Sequence, residues 1–363
     1  MRTKLTVFLL LTAFIFAQPI SAVAVSAGSA IVVEASTGRV VFEKDADSRR
    51  PMASTTKIMT ALVALEAGDT ARQVSVSGEA VGVEGSSVYL KTGDNLTLDD
   101  LVWALMLESA NDAAAAIAIE VAGSVEAFAG MMNAKAKELG LTDTHFTNPH
   151  GLDDENHYTT ARDLAKLAAY ALKNQRFREI VSTYKHSISV GNETRYLLNH
   201  NKMLKLYDGA IGVKTGYTKR SGRCLVSAAE RDGVTLVAVT LDAPDDWNDH
   251  RAMLDCGFGT LEARELIKEG ESVFILPCIG CEKNEVTLKN SEGLTVCVPK
   301  DTPEAGWRIE LPHYMWAPVY EGQEVGRIVF EAGGAVLGEV PIVACETVER
   351  VIYKQGLLER LFG

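Results

Sequence analysis

The chain has 363 residues and a net charge of −12, with 47% apolar and 23% charged residues. This composition excludes disordered and collagen-like chains, and the length allows two or three domains that each bury a core. Because the chain is acidic, we expect no nucleic acid among its partners. Its six cysteines are too few for a small scaffold held together by disulfides.

The first 27 residues have the three-part pattern of a secretory signal peptide. Two cations precede a largely apolar run at 5–16, and small residues follow, with candidate cleavage contexts at 22–24 and 26–27. The run is too short to span a bilayer, which argues against a membrane anchor. We therefore predict export and removal of residues 1–27. The loss of two cations lowers the net charge from −12 to −14.

Residues 28–263 mix strand and helix patterns and are predicted to form one α+β domain. Two β-branched runs flank a turn cluster early in this region and indicate a hairpin. Strand patterns return from residue 209, and a second hairpin turn is indicated at 231–233. The predicted hairpin covers 29–43, and the predicted helices cover 53–67, 98–122, 124–139 and 160–174.

Short alternating runs separated by proline and glycine predict a small all-β domain over 264–350. The last segment, 351–363, places four large apolar side chains on one helical face. A terminal helix or frayed tail is the favoured interpretation. The alternative is a weak membrane-surface helix that gives peripheral membrane contact.

Ser54 and Lys57 form an S-x-x-K motif at the start of a predicted helix. Ser54 is a candidate nucleophile, and Lys57 is a candidate base. Residues three apart share a helix face, so the hydroxyl and the amine can be neighbours. A lysine can activate a serine only if its pKa falls well below about 10.4, and burial or a second cation would lower it. Another S-x-x-K, at 182–185, lies in a polar stretch and is interpreted as incidental.

A K-T-G motif occurs at 214–216, inside a strand pattern. A strand edge beside a nucleophile can offer backbone hydrogen bonds to an extended peptide, and Lys214 would supply a cation. Gly216 would keep that face low, so that a substrate can approach. Another K-T-G, at 91–93, comes just before a helix start and is interpreted as a surface turn.

Ser109 and Asn111 lie between these motifs, at the end of an apolar stretch. Alone, such a pair is unremarkable in a helix. The order of the motifs gives it weight, because S-x-x-K, S-x-N and K-T-G follow one another as in penicillin-binding proteins and class A β-lactamases.

The chain resembles the low-molecular-mass penicillin-binding proteins of the D-alanyl-D-alanine carboxypeptidase type over nearly its whole length. Besides the three motifs, the stretch Phe146–Leu152, FTNPHGL, is similar to a block characteristic of that family. The resemblance implies a β-lactamase/transpeptidase-like catalytic domain with an antiparallel sheet and helices, followed by a small all-β domain. It also implies a place at the extracellular or periplasmic face of the cell envelope, and no cofactor or metal.

The resemblance further implies serine acyl transfer on peptidoglycan stem peptides ending in D-Ala-D-Ala, with β-lactam antibiotics as covalent inhibitors. Ser54 would attack the penultimate carbonyl, and Lys57 would act as general base. Ser109 would help to relay a proton to the leaving D-alanine, and Asn111 would bind the substrate amide or orient Lys57. The expected substrate-binding residues are Lys214, Thr215, Gly216 and Tyr217.

The ends of the scissile peptide have their own expected partners. Lys214 and Thr215 would bind the terminal carboxylate, and the backbone N–H groups of Ser54 and Tyr217 would form the oxyanion hole. Some members of the family carry an arginine shortly before an L-x-x-G-F segment that helps to recognise the carboxylate. In this chain acidic residues 245–246 occupy that region, so this contribution is not expected.

Two rival functions are disfavoured. A β-lactamase needs an efficient deacylation base, but Glu155 stands in D-D-E-N-H rather than E-x-x-L-N, and the second motif is S-A-N rather than S-D-N. A non-catalytic wall-binding protein would not need the intact motifs. His157 lies in a polar loop and is interpreted as a hydrogen-bonding residue rather than a site residue.

The cysteines leave alternatives open. The C-x-x-C pair at 278–281 has the spacing of a zinc or redox pair, and Cys297 and Cys345 could complete a zinc site only if they were close in space. Free thiols or a structural disulfide are favoured over a metal site. Cys224 and Cys256 have apolar neighbours and are predicted to be core residues.

Overall fold

The computed structural model describes residues 23–352. Most of the predicted signal peptide, 1–22, and most of the predicted tail, 353–363, lie outside the described residues. Within 23–352 no single helix has the length and apolarity to cross a bilayer. The helices Asn111–Ala122 and Val125–Glu138 meet that test only as a pair, which is bent by 82°. The helices are α1 (Lys57–Glu66), α2 (Leu98–Leu107), α3 (Asn111–Ala122), α4 (Val125–Glu138), α5 (Ala161–Ala171), α6 (Gln175–Ser182), α7 (Met203–Leu206) and α8 (Asp246–Thr260), with 3₁₀ turns at Ala53–Thr56 and Gly78–Ala80.

The N-terminal region is built on one antiparallel sheet of five strands. Its strands are drawn from β1 (Ser29–Glu34), β2 (Val40–Lys44), β3 (Gln73–Ser75), β4 (Asn95–Thr97), β5 (Lys185–Val190), β6 (Glu193–Leu198), β7 (Ala210–Thr218), β8 (Gly222–Arg231) and β9 (Val234–Leu241). The sheet order is β2-β1-β9-β8-β7, so β7 is an edge strand. Strands β3 and β4, and strands β5 and β6, pair separately.

Alternating side chains of this sheet enter two different cores. Ile31 and Val226 lie in the larger core, which also contains buried residues of α1 to α6. Their neighbours Val32 and Leu225 lie in a smaller core together with buried residues of α8. The sheet is therefore enclosed between a helical layer and α8, which confirms the predicted α+β architecture.

The predicted hairpin at 29–43 is confirmed as β1 paired with β2. The single helix predicted over 98–122 is wrong, because α2 and α3 are separate. Thr97 starts α2 by accepting a hydrogen bond from the Asp100 N–H at 3.0 Å. Between the helices, Ser109 has a φ of +59°, in the left-handed region, which breaks the helical path.

The C-terminal region is all-β, as predicted. Six strands form one sheet in the order β14-β16-β17-β12-β11-β15, and β10 pairs with β13. Val286, Leu288 and Ile342 belong to its own core. The predicted boundary at 263–264 falls inside β10. The strands are β10 (Leu261–Ile267), β11 (Val273–Ile279), β12 (Glu285–Asn290), β13 (Leu294–Pro299), β14 (Gly306–Glu310), β15 (Met315–Trp316), β16 (Glu324–Ala332) and β17 (Ala335–Ala344).

Candidate active site

Ser54 lies in the 3₁₀ turn directly before α1. Two threonine hydroxyls close this turn. Thr55 Oγ1 donates to the Met52 carbonyl at 2.6 Å, and Thr56 Oγ1 donates to the Ala53 carbonyl at 2.8 Å. Because buried carbonyl groups need partners, these hydrogen bonds fix the turn. The sequence S-T-T-K thus supplies both a nucleophile and the contacts that hold it in place.

The Lys57 side chain is fully buried and has three hydrogen-bond acceptors. Its Nζ lies 2.9 Å from Ser54 Oγ, 2.7 Å from Asn111 Oδ1 and 2.5 Å from the His150 carbonyl oxygen. All three donor directions of an ammonium are therefore occupied. The predicted S-x-x-K neighbours are in hydrogen-bond contact.

The environment of Lys57 disfavours its charged form. Burial lowers its pKa well below the usual value, and the charge of Lys214 lowers it further. Asp112 opposes these effects but contributes less. An amine with a lowered pKa can be neutral near neutral pH, and a neutral amine can accept the proton of Ser54.

Asn111 begins α3 and uses both ends of its side-chain amide. Oδ1 accepts from Lys57, and Nδ2 donates to the Glu84 carbonyl at 2.5 Å. These contacts favour the alternative in which Asn111 orients Lys57. Ser109, in the left-handed link before α3, lines the same cleft as Ser54.

The loop 146–152 places a backbone carbonyl beside Lys57. Asn148 Oδ1 accepts from the Gly151 N–H at 2.7 Å and folds the loop on itself. Gly151 has a φ of +90°, and a Cβ there would lie 2.0 Å from the Ala53 carbonyl oxygen, so only glycine lets the loop pack against the nucleophile turn. The loop thereby presents the His150 carbonyl. The sequence identified FTNPHGL as a block characteristic of the family. It could not predict that the His150 carbonyl accepts from Lys57, because a backbone carbonyl does not depend on residue type.

His157 is buried and hydrogen-bonded at both ring nitrogens. Nδ1 accepts from the Thr147 N–H at 3.0 Å, so Nε2 carries the proton and donates to Thr56 Oγ1 at 2.7 Å. Burial lowers the pKa of His157 to about 4, so the ring is neutral near neutral pH. The interpretation as a hydrogen-bonding loop histidine is confirmed, since His157 supports the turn that holds Ser54.

Strand β7 carries the K-T-G motif along the edge of the sheet. Lys214 is 2% exposed, and its Nζ donates to the Thr215 carbonyl at 2.9 Å. Burial lowers the pKa of Lys214 to about 7. Tyr217, in contrast, is 67% exposed. The strand therefore combines the buried amine of Lys214, whose charge changes with pH near neutrality, with the exposed side chain of Tyr217.

Gly216 lets β7 pack closely against the nucleophile turn. A Cβ at Gly216 would lie 3.0 Å from the Ser54 nitrogen and 3.1 Å from Ala53 Cβ. The sequence suggested that this glycine allows a substrate to approach. In the structure, the close approach that needs glycine is between the strand and Ser54.

A cleft of about 360 Å³ brings the three motifs together. Of the eight predicted site residues, five line it. The other three are buried: Lys57 contacts Ser54, Asn111 contacts Lys57, and Lys214 contacts the Thr215 carbonyl. The five are Ser54, Ser109, Thr215, Gly216 and Tyr217. Sequence analysis missed six further lining residues, because they come from separate loops, β8 and α8 and form no local motif. These are Ser86, His200, Lys202, Arg223, Asp246 and Trp247.

The second K-T-G motif and the cysteines lie outside the lining of the cleft. The second K-T-G, at 91–93, is an exposed turn. Cys278 and Cys281 form a disulfide, which was one of the favoured alternatives. In the described part of the chain no His, Cys, Asp and Glu side chains cluster as metal ligands. Cys224 is buried as predicted, but Cys256 is only partly buried, so that core prediction is wrong.

Comparison with known proteins identifies the family of this chain. The family model for D-alanyl-D-alanine carboxypeptidase matches residues 15–245. The chain belongs to the D-alanyl-D-alanine carboxypeptidase family. A second model, the C-terminal domain of penicillin-binding protein 5, matches residues 261–350 of this family member. The resemblance found in the motifs is thereby confirmed, and the carboxypeptidase is a serine peptidase.

Relatives and solved structures of the carboxypeptidase family extend over most of the chain. D-alanyl-D-alanine carboxypeptidase DacF of Bacillus subtilis is 34% identical over 91% of this chain and 88% of its own length. DacC of Escherichia coli is 34% identical over 93% of this chain and 88% of its own length. Penicillin binding protein 5 from Haemophilus influenzae has a TM-score of 0.70 at 26% identity, covering 90% of this chain and 98% of that one.

Proposed function

We propose that this carboxypeptidase removes the terminal D-alanine from peptidoglycan stem peptides ending in D-Ala-D-Ala, with Ser54 as nucleophile and Lys57 as its base. The observation that carries the proposal is the 2.9 Å contact between Lys57 Nζ and Ser54 Oγ, made by a fully buried amine. Family membership supports the reaction class, and the contacts of Ser54 and Lys57 support the choice of these residues.

Acylation begins when neutral Lys57 accepts the Ser54 hydroxyl proton while Oγ attacks the carbonyl carbon of the penultimate D-alanine. Asn111 and the His150 carbonyl hold the amine in position. The C–N bond then breaks, and the proton passes to the departing amine of D-alanine, with Ser109 as the relay. An acyl ester on Ser54 remains.

The substrate lies as an extended strand along the edge of β7. Backbone N–H groups of Ser54 and Tyr217 stabilise the oxyanion, and such donors contribute about 10²–10³ each in rate. Lys214 and Thr215 bind the terminal carboxylate. A bound carboxylate raises the pKa of Lys214, because an opposite charge favours the ammonium form.

Water hydrolyses the acyl ester and regenerates Ser54. β-Lactams acylate the same hydroxyl as mimics of D-Ala-D-Ala. A β-lactamase activity is disfavoured, because Glu155 is exposed on its loop rather than buried beside the acyl bond. Export to the outer face of the cell envelope completes the proposal and rests on the sequence pattern alone. For 351–363 a terminal helix or frayed tail stays the favoured interpretation, with peripheral membrane contact as the alternative.

The test pairs Ser54→Ala with Ser182→Ala, which changes the exposed serine of the second S-x-x-K. Labelled penicillin should bind the wild type and Ser182→Ala, but not Ser54→Ala. D-alanine release from a stem pentapeptide should follow the same pattern. Labelling of Ser54→Ala would refute the nucleophile. Rapid penicillin turnover without D-alanine release would favour a β-lactamase. Binding of the stem pentapeptide without either reaction would favour a wall-binding protein.

A further inference from the structure

An acidic residue lies in the region where some members of the family carry an arginine that helps to recognise the substrate carboxylate. Asp246 begins α8, upstream of the L-x-x-G-F segment at 254–258, and lines the active-site cleft. A bare carboxylate here would repel the carboxylate of a substrate. Its side chain is only 4% exposed, however, and it is paired with Arg223. The cation of this region therefore comes from β8.

Arg223 is placed beside the K-T-G strand by the register of the sheet. It lies directly opposite Tyr217, and Thr215 is opposite Leu225, two residues further along β8. Residues opposite or diagonal to one another share a sheet face, and a diagonal spacing of about 7–8 Å is within reach of a long side chain. Arg223 and Thr215 accordingly line the same cleft as Ser54.

The guanidinium is held at one side and open at the other. Its Nη2 donates to Asp246 Oδ1 at 2.8 Å, and the Trp247 N–H donates to the same oxygen at 2.9 Å. The Trp247 ring lies 5.7 Å from the Arg223 guanidinium carbon, within cation–π range. Among the described residues no acceptor is hydrogen-bonded to Nη1, and 42% of the Arg223 side chain is exposed.

We propose that Arg223 joins Lys214 and Thr215 in binding the terminal carboxylate of the substrate, and that Asp246 and Trp247 are positioning residues for Arg223. The assignment rests on the proposed function. The charge of Asp246 is balanced by its ion pair with Arg223, and this contact fixes the guanidinium. The Nη1 donors of Arg223 then form a charge-assisted hydrogen bond to the incoming anion. In this chain the arginine comes from β8 rather than from the segment before L-x-x-G-F.

The experiment compares two substrates that differ only at the recognised group. One is a stem pentapeptide with a free C-terminal carboxylate, and the other is the same peptide with a C-terminal carboxamide. Arg223→Gln should lower kcat/KM for the carboxylate substrate by about 10–100-fold, since hydrogen bonds to charged groups are worth that much. For the carboxamide it should change little. Arg220→Gln, on the exposed turn after β7, should affect neither substrate.

A second variant separates binding from folding. Arg223→Gln leaves Asp246 buried without its partner, so the pair Arg223→Gln with Asp246→Asn removes both charges together. This double variant should regain a wild-type melting temperature and still discriminate against the carboxylate substrate. Equal losses on both substrates, or no loss on either, would overturn the assignment. Absence of D-alanine release by the wild type would instead overturn the proposed function, and the role of Arg223 with it.

Discussion

Lys214 lies close enough to Lys57 for its charge to lower the pKa of Lys57, although burial of Lys57 has the larger effect. The two amines have opposite tasks in the proposed reaction, because Lys57 must be neutral and Lys214 must be charged. The charge that Lys214 needs for binding therefore also helps to keep Lys57 neutral.

The first prediction concerns pH. Activity should rise as pH increases through the lowered pKa of Lys57, and should fall as Lys214 loses its proton above its pKa of about 7. Because bound carboxylate raises the pKa of Lys214, the alkaline limb of kcat should lie at higher pH than that of kcat/KM. Profiles of both constants for D-alanine release would measure this. Coinciding alkaline limbs would contradict the role of Lys214.

Melting temperature across the same pH range is the control. The pKa of His157 is lowered to about 4 in the folded protein, against about 6.5 in an unfolded chain. The unfolded state therefore binds more protons below about pH 6.5, and stability is lost as pH falls from there towards about 4. Activity that is lost only where the protein unfolds would not report on Lys57.

Asn111→Asp should move the acid limb of the profile to higher pH. The substitution places a carboxylate oxygen where Oδ1 now lies 2.7 Å from Lys57 Nζ. An opposite charge at that distance raises a lysine pKa by about 1–3 units, so a larger fraction of the base is protonated at neutral pH. The measurement is kcat/KM against pH, with the exposed Asn95→Asp as control. An unchanged acid limb would exclude Lys57 as the titrating base.

Gly216→Ala should slow acylation by crowding Ser54. The new methyl would lie 3.0 Å from the Ser54 nitrogen, which must donate to the oxyanion. We expect the rate of labelling by penicillin to fall about 10-fold or more, with about 1–3 kcal/mol lost in stability through overpacking. Gly130→Ala in α4, where a Cβ meets no atom within 4 Å, is the matched control. Wild-type labelling by Gly216→Ala would refute the close approach.

The predicted removal of all residues 1–27 conflicts with the contacts of Ser26, so we now expect the exported chain to begin at or before Ser26. Asp249 accepts hydrogen bonds from the Ser26 N–H at 2.9 Å, from Ser26 Oγ at 2.7 Å and from the Ala27 N–H at 3.1 Å. Cleavage after Ala27 would leave this buried carboxylate without those partners. We therefore expect cleavage at the 22–24 context, read by intact-mass spectrometry of exported protein. A mature chain starting at Gly28 would contradict this expectation.

Sequence alone predicted the parts of the site whose chemistry lies in side chains with fixed local spacing. Ser54 and Lys57 share a turn, so their contact follows from the motif, and the strand at Lys214 follows from its pattern. The His150 carbonyl could not be predicted, because any residue provides a carbonyl and only the folded loop aims it. Arg223 was missed because the pairing of β7 with β8, rather than distance along the chain, brings it beside Thr215.

The fold shows the same division. The β-branched runs around the turn at 36–38 indicated β1 and β2 in the sequence. The break at Ser109 was not visible, because its left-handed backbone is stabilised by the surrounding packing rather than by residue type. The apolar pattern over 98–122 therefore predicted one helix, although the segment forms α2 and α3.

Strand β7 leaves the backbone groups of one edge unpaired within its sheet, and this creates a conflict between catalysis and solubility. An open edge accepts any extended chain, including the edge of a second copy. Here the nucleophile turn packs against β7 at Gly216, which obstructs the approach of a second sheet to this edge. Engineering that enlarges the cleft for bulkier stem peptides would thus also remove a barrier to self-association, and such variants should be screened for aggregation as well as for rate.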